Sequence, residues 1–356
     1  MTPAQMPLKG KIRVLIVDDS ASIRMLIRSS LSADPAIEVI GTAADGVEAV
    51  ELVLALKPDV VTLDVEMPRM DGISALRQIM AKVPTTRVIM LSNMTHQGAK
   101  TTFDALEAGA FSFVPKIASN GFEVEIVRKV KEAALSRSAG LATGIPQRSG
   151  ISAQPTSTLL LKGKKINSVG IGASTGGPIA LQEVLSRVPA NFPYGIFVVI
   201  HMPKAFTNAF AERLNSLSAI TVKEAVDGDL LRPGVALIAP GGAHVTLVRH
   251  SGGIMVKTHA VEAYPQHFYI PSVDLMLSSL AEASGGASLG VILTGMGSDG
   301  FKGMQQMKQK GAVTIVQDEE TSIIYGMPKV CIEGGVADII LPLTHIGPRI
   351  AELVSL

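Results

Sequence analysis

The segment Val169–Pro178, VGIGASTGGP, predicts a β-strand that turns sharply into an α-helix. The apolar strand ends near Gly172, Ser174 occupies the turn, and two glycines and a proline open the helix. Such a turn can raise a serine hydroxyl from the backbone at the start of a helix. Glycine-rich turns of this kind also bind phosphate groups or simply reverse the chain, so G-x-S-x-G alone is a weak motif. Whether Ser174 is a nucleophile therefore depends on the partners that the rest of the chain supplies.

The same alternation of strand and helix extends outward from this turn and predicts an α/β protein of two domains. Residues 11–136 hold five strand–helix pairs, which predict a doubly wound, flavodoxin-like (βα)5 domain. Residues 137–163 are rich in Ser, Gly, Pro and Thr without periodicity and predict a linker. Residues 164–356 predict a second doubly wound, mostly parallel domain. Within it, VALIAP, HVTLVR and GIMVKT predict a small antiparallel insertion between about Val235 and Lys257.

Composition restricts the classes of function. The 32 basic and 31 acidic side chains give a formal net charge of +1, which disfavours binding to nucleic acid or to an anionic membrane surface. Cys331 is the single cysteine, which excludes an internal disulfide framework and fits a reducing compartment; we expect it to be a small buried hydrophobe. No apolar run approaches the roughly 20 residues that cross a bilayer. The sequence therefore predicts a cytoplasmic protein without membrane insertion.

Polar side chains follow the predicted strands of the first domain. Asp18 and Asp19 come after VLIV, and Asp64 comes after VVTL. Ser92 follows VIML and Lys116 follows FVP. Because ligands collect at the carboxyl ends of parallel strands, we expect these groups to converge. Oxygen-rich acidic pockets suit Mg²⁺, and a nearby lysine can balance the charge of a phosphoryl group. The alternative for Asp18 or Asp19 is that it merely caps the following helix.

The segments VLIVDDS, LDVEMPRMDG and FVPK resemble the receiver domain of two-component response regulators over residues 11–136. The resemblance implies that Asp64 accepts a phosphoryl group from a histidine kinase. It also implies that Asp18, Asp19, Asp64 and the backbone carbonyl of Glu66 surround Mg²⁺.

The same resemblance assigns roles to three further residues. It implies that Ser92 and Lys116 contact the phosphoryl oxygens and that Phe113 occupies the position of an aromatic switch, which is often tyrosine in this family. Phosphorylation adds about −1.5 to −2 charges and three acceptor oxygens, which is enough to shift a two-state surface.

A nucleophilic serine needs a base, and the base needs an orienting acid. His201 ends the apolar strand GIFVVIH, which we expect beside the strand of Ser174, whereas the other six histidines lie on helix starts, loops or edges. Asp299 lies in a glycine-rich turn after VILTG, and its alternative role is helix capping. The order Ser, His, Asp differs from the order Ser, Asp or Glu, His of α/β-hydrolases and disfavours an ordinary lipase or esterase.

The segments GASTGGP, HMP, APGGAH, PSVD and TGMGSDG resemble the chemotaxis protein-glutamate methylesterase (CheB) family. With the receiver, the resemblance spans nearly the whole chain apart from the linker. It implies a catalytic triad with an oxyanion hole formed by two backbone N–H groups. Ile270 departs from the family, which commonly has a basic residue there. The triad would be Ser174, His201 and Asp299, and the N–H groups those of Thr175 and Met296.

The resemblance also implies a function: removal of methyl groups from methylated glutamates of chemoreceptors, with deamidation of receptor glutamines chemically accessible to the same site. The unphosphorylated receiver would block the active site until Asp64 is phosphorylated by a chemotaxis histidine kinase. Mg²⁺ would serve the receiver, and the hydrolase would need no cofactor. Two alternatives stay open, a receiver-regulated partner-binding module without catalysis and an esterase that acts on a small-molecule ester.

Overall fold

The computed structural model describes residues 10–93, 95–116, 121–136 and 164–354. The chain divides into two compact units, residues 1–147 and 148–356, and each is described by itself. The predicted linker, 137–163, lies outside the described residues. Within the described part of the chain, no helix has the length and apolarity to cross a membrane.

The first unit is a five-stranded parallel sheet with helices on its faces. Its strands are β1 (Ile12–Val17), β2 (Ile37–Ala43), β3 (Val60–Asp64), β4 (Arg87–Ser92) and β5 (Ser112–Pro115). Its helices are α1 (Ala21–Ser32), α2 (Gly46–Leu56), α3 (Gly72–Lys82), α4 (His96–Glu107) and α5 (Phe122–Leu135). The strand order β2-β1-β3-β4-β5 confirms the predicted flavodoxin-like fold.

The amino end of α1 is capped by a residue other than the two aspartates that follow β1. The N-cap of α1 is Ser20, whose side chain accepts a hydrogen bond from the Ile23 N–H, so neither Asp18 nor Asp19 caps this helix. The Asp18 carboxylate instead accepts a hydrogen bond of 2.9 Å from the Ser20 N–H, which fixes its direction at the end of β1.

The second unit contains a seven-stranded sheet and a separate two-stranded one. Its strands are β6 (Ser168–Ala173), β7 (Gly195–Ile200), β8 (Thr221–Glu224), β9 (Val235–Ile238), β10 (His244–His250), β11 (Gly253–His259), β12 (Leu289–Ile292), β13 (Val313–Gln317) and β14 (Ile339–Leu341). Its helices are α6 (Gly177–Ser186), α7 (Lys204–Leu217), α8 (Val273–Ser284), α9 (Phe301–Gln309), α10 (Met327–Glu333) and α11 (Leu343–Val354).

The predicted antiparallel insertion is smaller than expected. The strand in VALIAP, β9, pairs in parallel with both β7 and β8 and so belongs to the main sheet. Of the three predicted strands, β10 and β11 pair with each other in antiparallel fashion. The prediction for VALIAP was wrong because a short buried strand looks the same in either setting, and only its pairing partner decides.

The order of the large sheet, β14-β13-β12-β6-β7-β9-β8, places β6 at a switch point. From β6 the chain first builds the side of β7 and later returns to build the side of β12. In open parallel sheets, ligands bind outside the carboxyl ends of the strands at such a point. The turn that contains Ser174 follows β6 and therefore lies at the expected location of a site.

The glycines of β6 bring α8 close to the sheet. A Cβ on Gly172 would come 2.2 Å from the Val273 side chain, and one on Gly170 would come 2.7 Å from Leu280. The absence of side chains at these positions lets α8 pack directly on the strand. Cys331 is fully buried in the same core, as predicted, and burial raises the pKa of its thiol to about 12.

Candidate catalytic and phosphoryl-acceptor sites

Ser174 and His201 are brought side by side by strand register. In the parallel pair β6–β7, Ala173 is opposite Ile200, and the His201 N–H donates a hydrogen bond of 3.2 Å to the Ala173 carbonyl. Each strand is therefore followed at once by a polar residue, on neighbouring strands that lie about 4.8 Å apart. We expected the strand of His201 beside that of Ser174, and the pairing of β7 with β6 confirms it.

His201 contacts the third predicted residue. Its Nε2 lies 2.9 Å from Asp299 Oδ2, although 98 positions separate the two residues in sequence. Its Nδ1 is buried and has no hydrogen-bond partner among the described residues. The imidazole thus has one nitrogen held by a carboxylate and the other available to accept a proton.

Asp299 is held by the amino end of α8. Its carboxylate accepts hydrogen bonds from the N–H groups of Val273 (2.8 Å) and Asp274 (2.9 Å) and from the Ser272 hydroxyl (3.1 Å). Burial by itself raises the pKa of Asp299, but the hydrogen bond and charge of His201 and these backbone donors outweigh it, so the pKa lies below its ordinary value. Asp299 is therefore an ionised acceptor at neutral pH.

Asp299 and Asp274 exchange helix ends. Asp299 lies just before α9 in sequence but binds the amino end of α8. Asp274, in the first turn of α8, accepts hydrogen bonds of 2.8 and 2.9 Å from the N–H groups of Gly300 and Gly303 at the amino end of α9. The Asp299 carboxylate thus binds a helix end and contacts His201 at the same time, so the two roles are not alternatives. Burial and the charge of Asp299 raise the pKa of Asp274.

The backbone around Ser174 is fixed from the neighbouring strand. The Ser174 N–H donates a hydrogen bond of 3.0 Å to the Thr294 carbonyl, and the Thr294 hydroxyl lies 3.0 Å from the Thr175 carbonyl oxygen. A Cβ on Gly295 would come 2.7 Å from Ser174 Cβ, so only glycine permits this approach. The turn that contains Ser174 and the turn after β12 are therefore joined by these hydrogen bonds and by close backbone packing.

The two predicted oxyanion-hole residues flank this contact. Thr175 follows Ser174 directly, and Met296 follows Gly295. The Met296 N–H donates no hydrogen bond within the described part of the chain, and the Gly295 carbonyl accepts a hydrogen bond of 2.8 Å from the Met327 N–H at the start of α10. The two N–H groups therefore belong to neighbouring turns beside the serine.

The sequence reasoning missed two residues at this site. The Tyr269 ring stacks on the His201 imidazole, with ring centroids 4.4 Å apart and planes 6° apart. Ser272 contacts Asp299, as described above. The signal for Ser272 was present, because a serine before an apolar helical run predicts an N-cap, and it does cap α8 by accepting from the Leu275 N–H. Tyr269 carries no local signal, since its role comes from a tertiary contact.

The acidic residues of the first unit also converge. Asp18, Asp19 and Asp64 each place a carboxylate oxygen within 4.8 Å of the others. Lys116 Nζ lies 2.7 Å from both Asp18 Oδ2 and Asp64 Oδ2. The Glu66 N–H donates a hydrogen bond of 3.4 Å to Asp64 Oδ1, so the backbone after β3 turns around the carboxylate.

Ser92 and Phe113 occupy the neighbouring strands. Ser92 is fully buried at the end of β4, where its Oγ lies 2.8 Å from Thr102 Oγ1 and its carbonyl accepts a hydrogen bond of 2.8 Å from the Lys116 N–H. Phe113 in β5 is half-buried and meets Phe103 of α4 edge to face, with centroids 6.5 Å apart. Ser92 is thus joined through the backbone to Lys116, which contacts the acidic cluster, whereas Phe113 packs against α4.

Burial and Lys116 shift the pKa of Asp64 in opposite directions. Burial raises its pKa to about 6, although the hydrogen bond and charge of Lys116 act in the opposite direction. Burial alone lowers the pKa of Lys116, but its bonds to Asp18 and Asp64 prevail and raise it. An Asp64 carboxylate that is ionised above pH 6 in the folded protein therefore costs free energy.

We expect Asp64→Asn to stabilise the first unit at pH 8, by about 1 kcal/mol, and to lose this advantage as the pH falls towards 4. The folded pKa exceeds the unfolded one, so the penalty in the wild type is complete above pH 6 and absent below pH 4. Urea unfolding followed by circular dichroism at the two pH values measures the difference. Asp34→Asn is the control of opposite sign, because the Lys131 hydrogen bond lowers the pKa of Asp34. Equal stability of Asp64→Asn and wild type at pH 8 would contradict the raised pKa of Asp64.

Comparison with known proteins gives the chain a family. Residues 169–350 match the family model CheB methylesterase, and residues 14–127 match the family model response regulator receiver domain. A protein of Geobacter sulfurreducens named protein-glutamate methylesterase/protein-glutamine glutaminase 1 is 58% identical over 96% of this chain and 98% of its own length. A Pyrococcus abyssi protein named protein-glutamate methylesterase/protein-glutamine glutaminase is 42% identical over 99% of this chain and 96% of its own length.

A solved structure agrees with this result. The CheB methylesterase catalytic domain of Thermotoga maritima is 42% identical, with a TM-score of 0.51, and its whole length matches 53% of this chain. Both family models and relatives of nearly the same length therefore converge on one architecture. The chain belongs to the CheB methylesterase family, with a response regulator receiver domain ahead of its methylesterase region.

Proposed function

We propose that this chain is a phosphorylation-regulated serine hydrolase that removes methyl groups from methylated glutamates of chemoreceptors. The observation that carries the proposal is the 2.9 Å contact between His201 and Asp299, at the switch point of the large sheet and one strand from Ser174. The family and the names of its relatives supply the substrate.

The chemistry follows from the roles of the three side chains. His201 Nδ1 takes the proton of the Ser174 hydroxyl as the oxygen attacks the ester carbonyl. Asp299 holds the proton on Nε2, so that Nδ1 is the basic nitrogen, and it stabilises the imidazolium that forms. His201 then returns the proton to the departing methanol, and water releases the glutamate from the acyl enzyme by the same steps in reverse order.

The negative oxygen of the tetrahedral intermediate needs preorganised donors. We assign this role to the backbone N–H groups of Thr175 and Met296. One such donor contributes roughly 10²–10³ in rate, and it does so through backbone geometry. Substitutions of the Thr175 or Met296 side chains should therefore matter less than any change that moves the two turns.

Deamidation of receptor glutamines belongs to the same proposal. An amide passes through a tetrahedral intermediate like that of an ester, with ammonia as the leaving group in place of methanol. The relatives from Geobacter and Pyrococcus carry glutaminase in their names. The same residues would act in both reactions.

The test is methanol release from membranes that carry methylated chemoreceptors, compared with release from a soluble methyl ester. Release from the receptor at far lower substrate concentration supports the proposal. Preference for the soluble ester would instead make the protein a small-molecule esterase. A binding module without catalysis would release no methanol from either and would not react with a fluorophosphonate probe.

We propose that the first unit accepts a phosphoryl group on Asp64 from a chemotaxis histidine kinase in the cytoplasm. Three carboxylates with oxygens within 4.8 Å of one another are the hard ligands that Mg²⁺ prefers, and the residues present fit it. Asp18, Asp19, Asp64 and the Glu66 carbonyl would hold the ion, which would neutralise charge on the incoming phosphoryl group. Lys116 and Ser92 would contact the phosphoryl oxygens, and Phe113 would report the change to the surface.

We expect Asp64→Asn to keep basal hydrolysis and to lose activation by acetyl phosphate, because an amide cannot accept the phosphoryl group. Initial rates of methanol release with and without the phosphodonor and Mg²⁺ measure this. We propose that the first unit inhibits hydrolysis until it is phosphorylated. The Asp64→Asn variant should therefore keep the low basal rate of the unphosphorylated wild type. Activation that survives in Asp64→Asn would overturn the regulatory part and leave the hydrolase intact.

A further inference from the structure

Two side chains, His267 and Ser272, are hydrogen-bonded in series to the Asp299 oxygen that does not face His201. Ser272, which is 1% exposed, places its Oγ 3.1 Å from Asp299 Oδ1. The same oxygen lies 3.1 Å from His267 Nδ1. His267 is thus joined to the acid of the proposed triad through a single buried hydroxyl.

The number of hydrogens on each group decides which atom donates in each of these hydrogen bonds. A serine hydroxyl has one hydrogen to donate and two lone pairs to accept with. Asp299 is ionised and accepts only, so the Ser272 hydrogen points to it. The Leu275 N–H takes one lone pair of Ser272 at 3.3 Å, and His267 must donate to the other. His267 therefore carries a hydrogen on Nδ1.

The surroundings fix the His267 ring. Its centroid lies 6.0 Å from that of His244 and 6.3 Å from that of Tyr264, and both contacts are close to edge-on. The backbone N–H of His267 donates a hydrogen bond of 3.0 Å to the Tyr264 carbonyl, which holds the residue in place. His244 is fully buried, and burial together with the charge of His267 lowers its pKa, so it packs as a neutral ring.

We infer that Ser272 and His267 are positioning residues for hydrolysis: the His267–Ser272 relay fixes the rotation of the Asp299 carboxylate so that Oδ2 faces His201. This inference rests on the proposed function. Among the described residues, the backbone N–H groups of Val273 and Asp274 donate to Asp299, and so do the side chains of His201 and Ser272. Ser272 is therefore the one side-chain donor in this part of the chain besides the imidazole. Without it, Oδ1 keeps a single backbone donor and the carboxylate gains freedom to turn.

Kinetics of full-length variants test the relay. Ser272→Ala should lower kcat about tenfold with KM unchanged, because a hydrogen bond to an ion is lost while the substrate surface is untouched. Ser272→Thr keeps the hydroxyl and should restore most of the rate. Ser279→Ala is the matched control: it removes a hydroxyl of the same helix that bonds to the Leu247 N–H and the Met276 carbonyl, and it should leave kcat unchanged.

The second pair of variants tests the outer residue. His267→Asn offers an amide N–H near the position of Nδ1 and should keep kcat within about threefold, whereas His267→Phe should match Ser272→Ala. A wild-type kcat in both Ser272→Ala and His267→Phe, in an assay whose rate is abolished by Ser174→Ala, would overturn the relay alone. Absence of a Ser174-dependent rate in the wild type would overturn the proposed function instead.

One measurement is independent of activity. NMR of protein labelled with ¹⁵N-histidine should show His267 with its hydrogen on Nδ1 at pH 8, and Ser272→Ala should shift that signal. A neutral His267 with its hydrogen on Nε2 alone would overturn the relay, because Nδ1 would then compete with Asp299 for the Ser272 hydrogen.

Discussion

Ser174→Ala should lower the rate of ester hydrolysis by about 10⁴- to 10⁶-fold, since it removes the oxygen that we propose as the nucleophile. The fold should survive, because the backbone bonds of Ser174 to Thr294 and Gly177 involve no side-chain atom. Methanol release and covalent labelling by a fluorophosphonate probe measure the effect, and both should vanish.

The control for this variant lies in the turn after β12. Ser298 is exposed and offers a hydroxyl close to Asp299 in sequence, so Ser298→Ala should keep both the rate and the labelling. Labelling that persists in Ser174→Ala would show that another residue is the nucleophile and would remove the basis of the proposed triad.

Asp299→Asn should lower kcat/KM by about 10³- to 10⁴-fold. The Asn amide can donate a hydrogen bond to His201 Nε2, which then becomes an acceptor and leaves the ring hydrogen on Nδ1. An Nδ1–H cannot take the proton of Ser174, so the imidazole is present in the wrong tautomer. The ratio kcat/KM of the two proteins near neutral pH measures the loss.

Asp274→Asn is the matched comparison for Asp299→Asn. Asp274 is the neighbouring, half-buried acid, and its carboxylate bonds to backbone N–H groups at the amino end of α9 rather than to His201. It should reduce stability, measured by the melting temperature, while kcat/KM stays within about tenfold. A loss of kcat/KM in Asp299→Asn no greater than in Asp274→Asn would reduce Asp299 to a structural acid.

The sequence predicted those features that follow from where strands end. Ser174 and His201 each follow a buried strand at once, and parallel strands of similar length bring such residues to one edge. Asp18, Asp64 and Lys116 were predicted to meet for the same reason, and the structure brings them together. The flavodoxin-like order of the first sheet also follows from the five-fold alternation and is confirmed.

The features that the sequence did not predict depend on partners distant in the chain. The parallel pairing of β9 needs β7 and β8 beside it, and a four-residue run carries no record of them. Tyr269 reaches His201 only because the loop before α8 folds over the imidazole. For Asp299, capping and catalysis looked like competing roles, yet one carboxylate has enough lone pairs to serve a helix end and an imidazole together.

The crossed binding of Asp299 to α8 and of Asp274 to α9 has a consequence for how this protein fails under heat. Neither helix can leave its place without uncapping the other and freeing the acid that orients the imidazole. A half-melted form with working catalysis is therefore inaccessible in the second unit. Thermal inactivation and loss of tertiary packing should share a single midpoint.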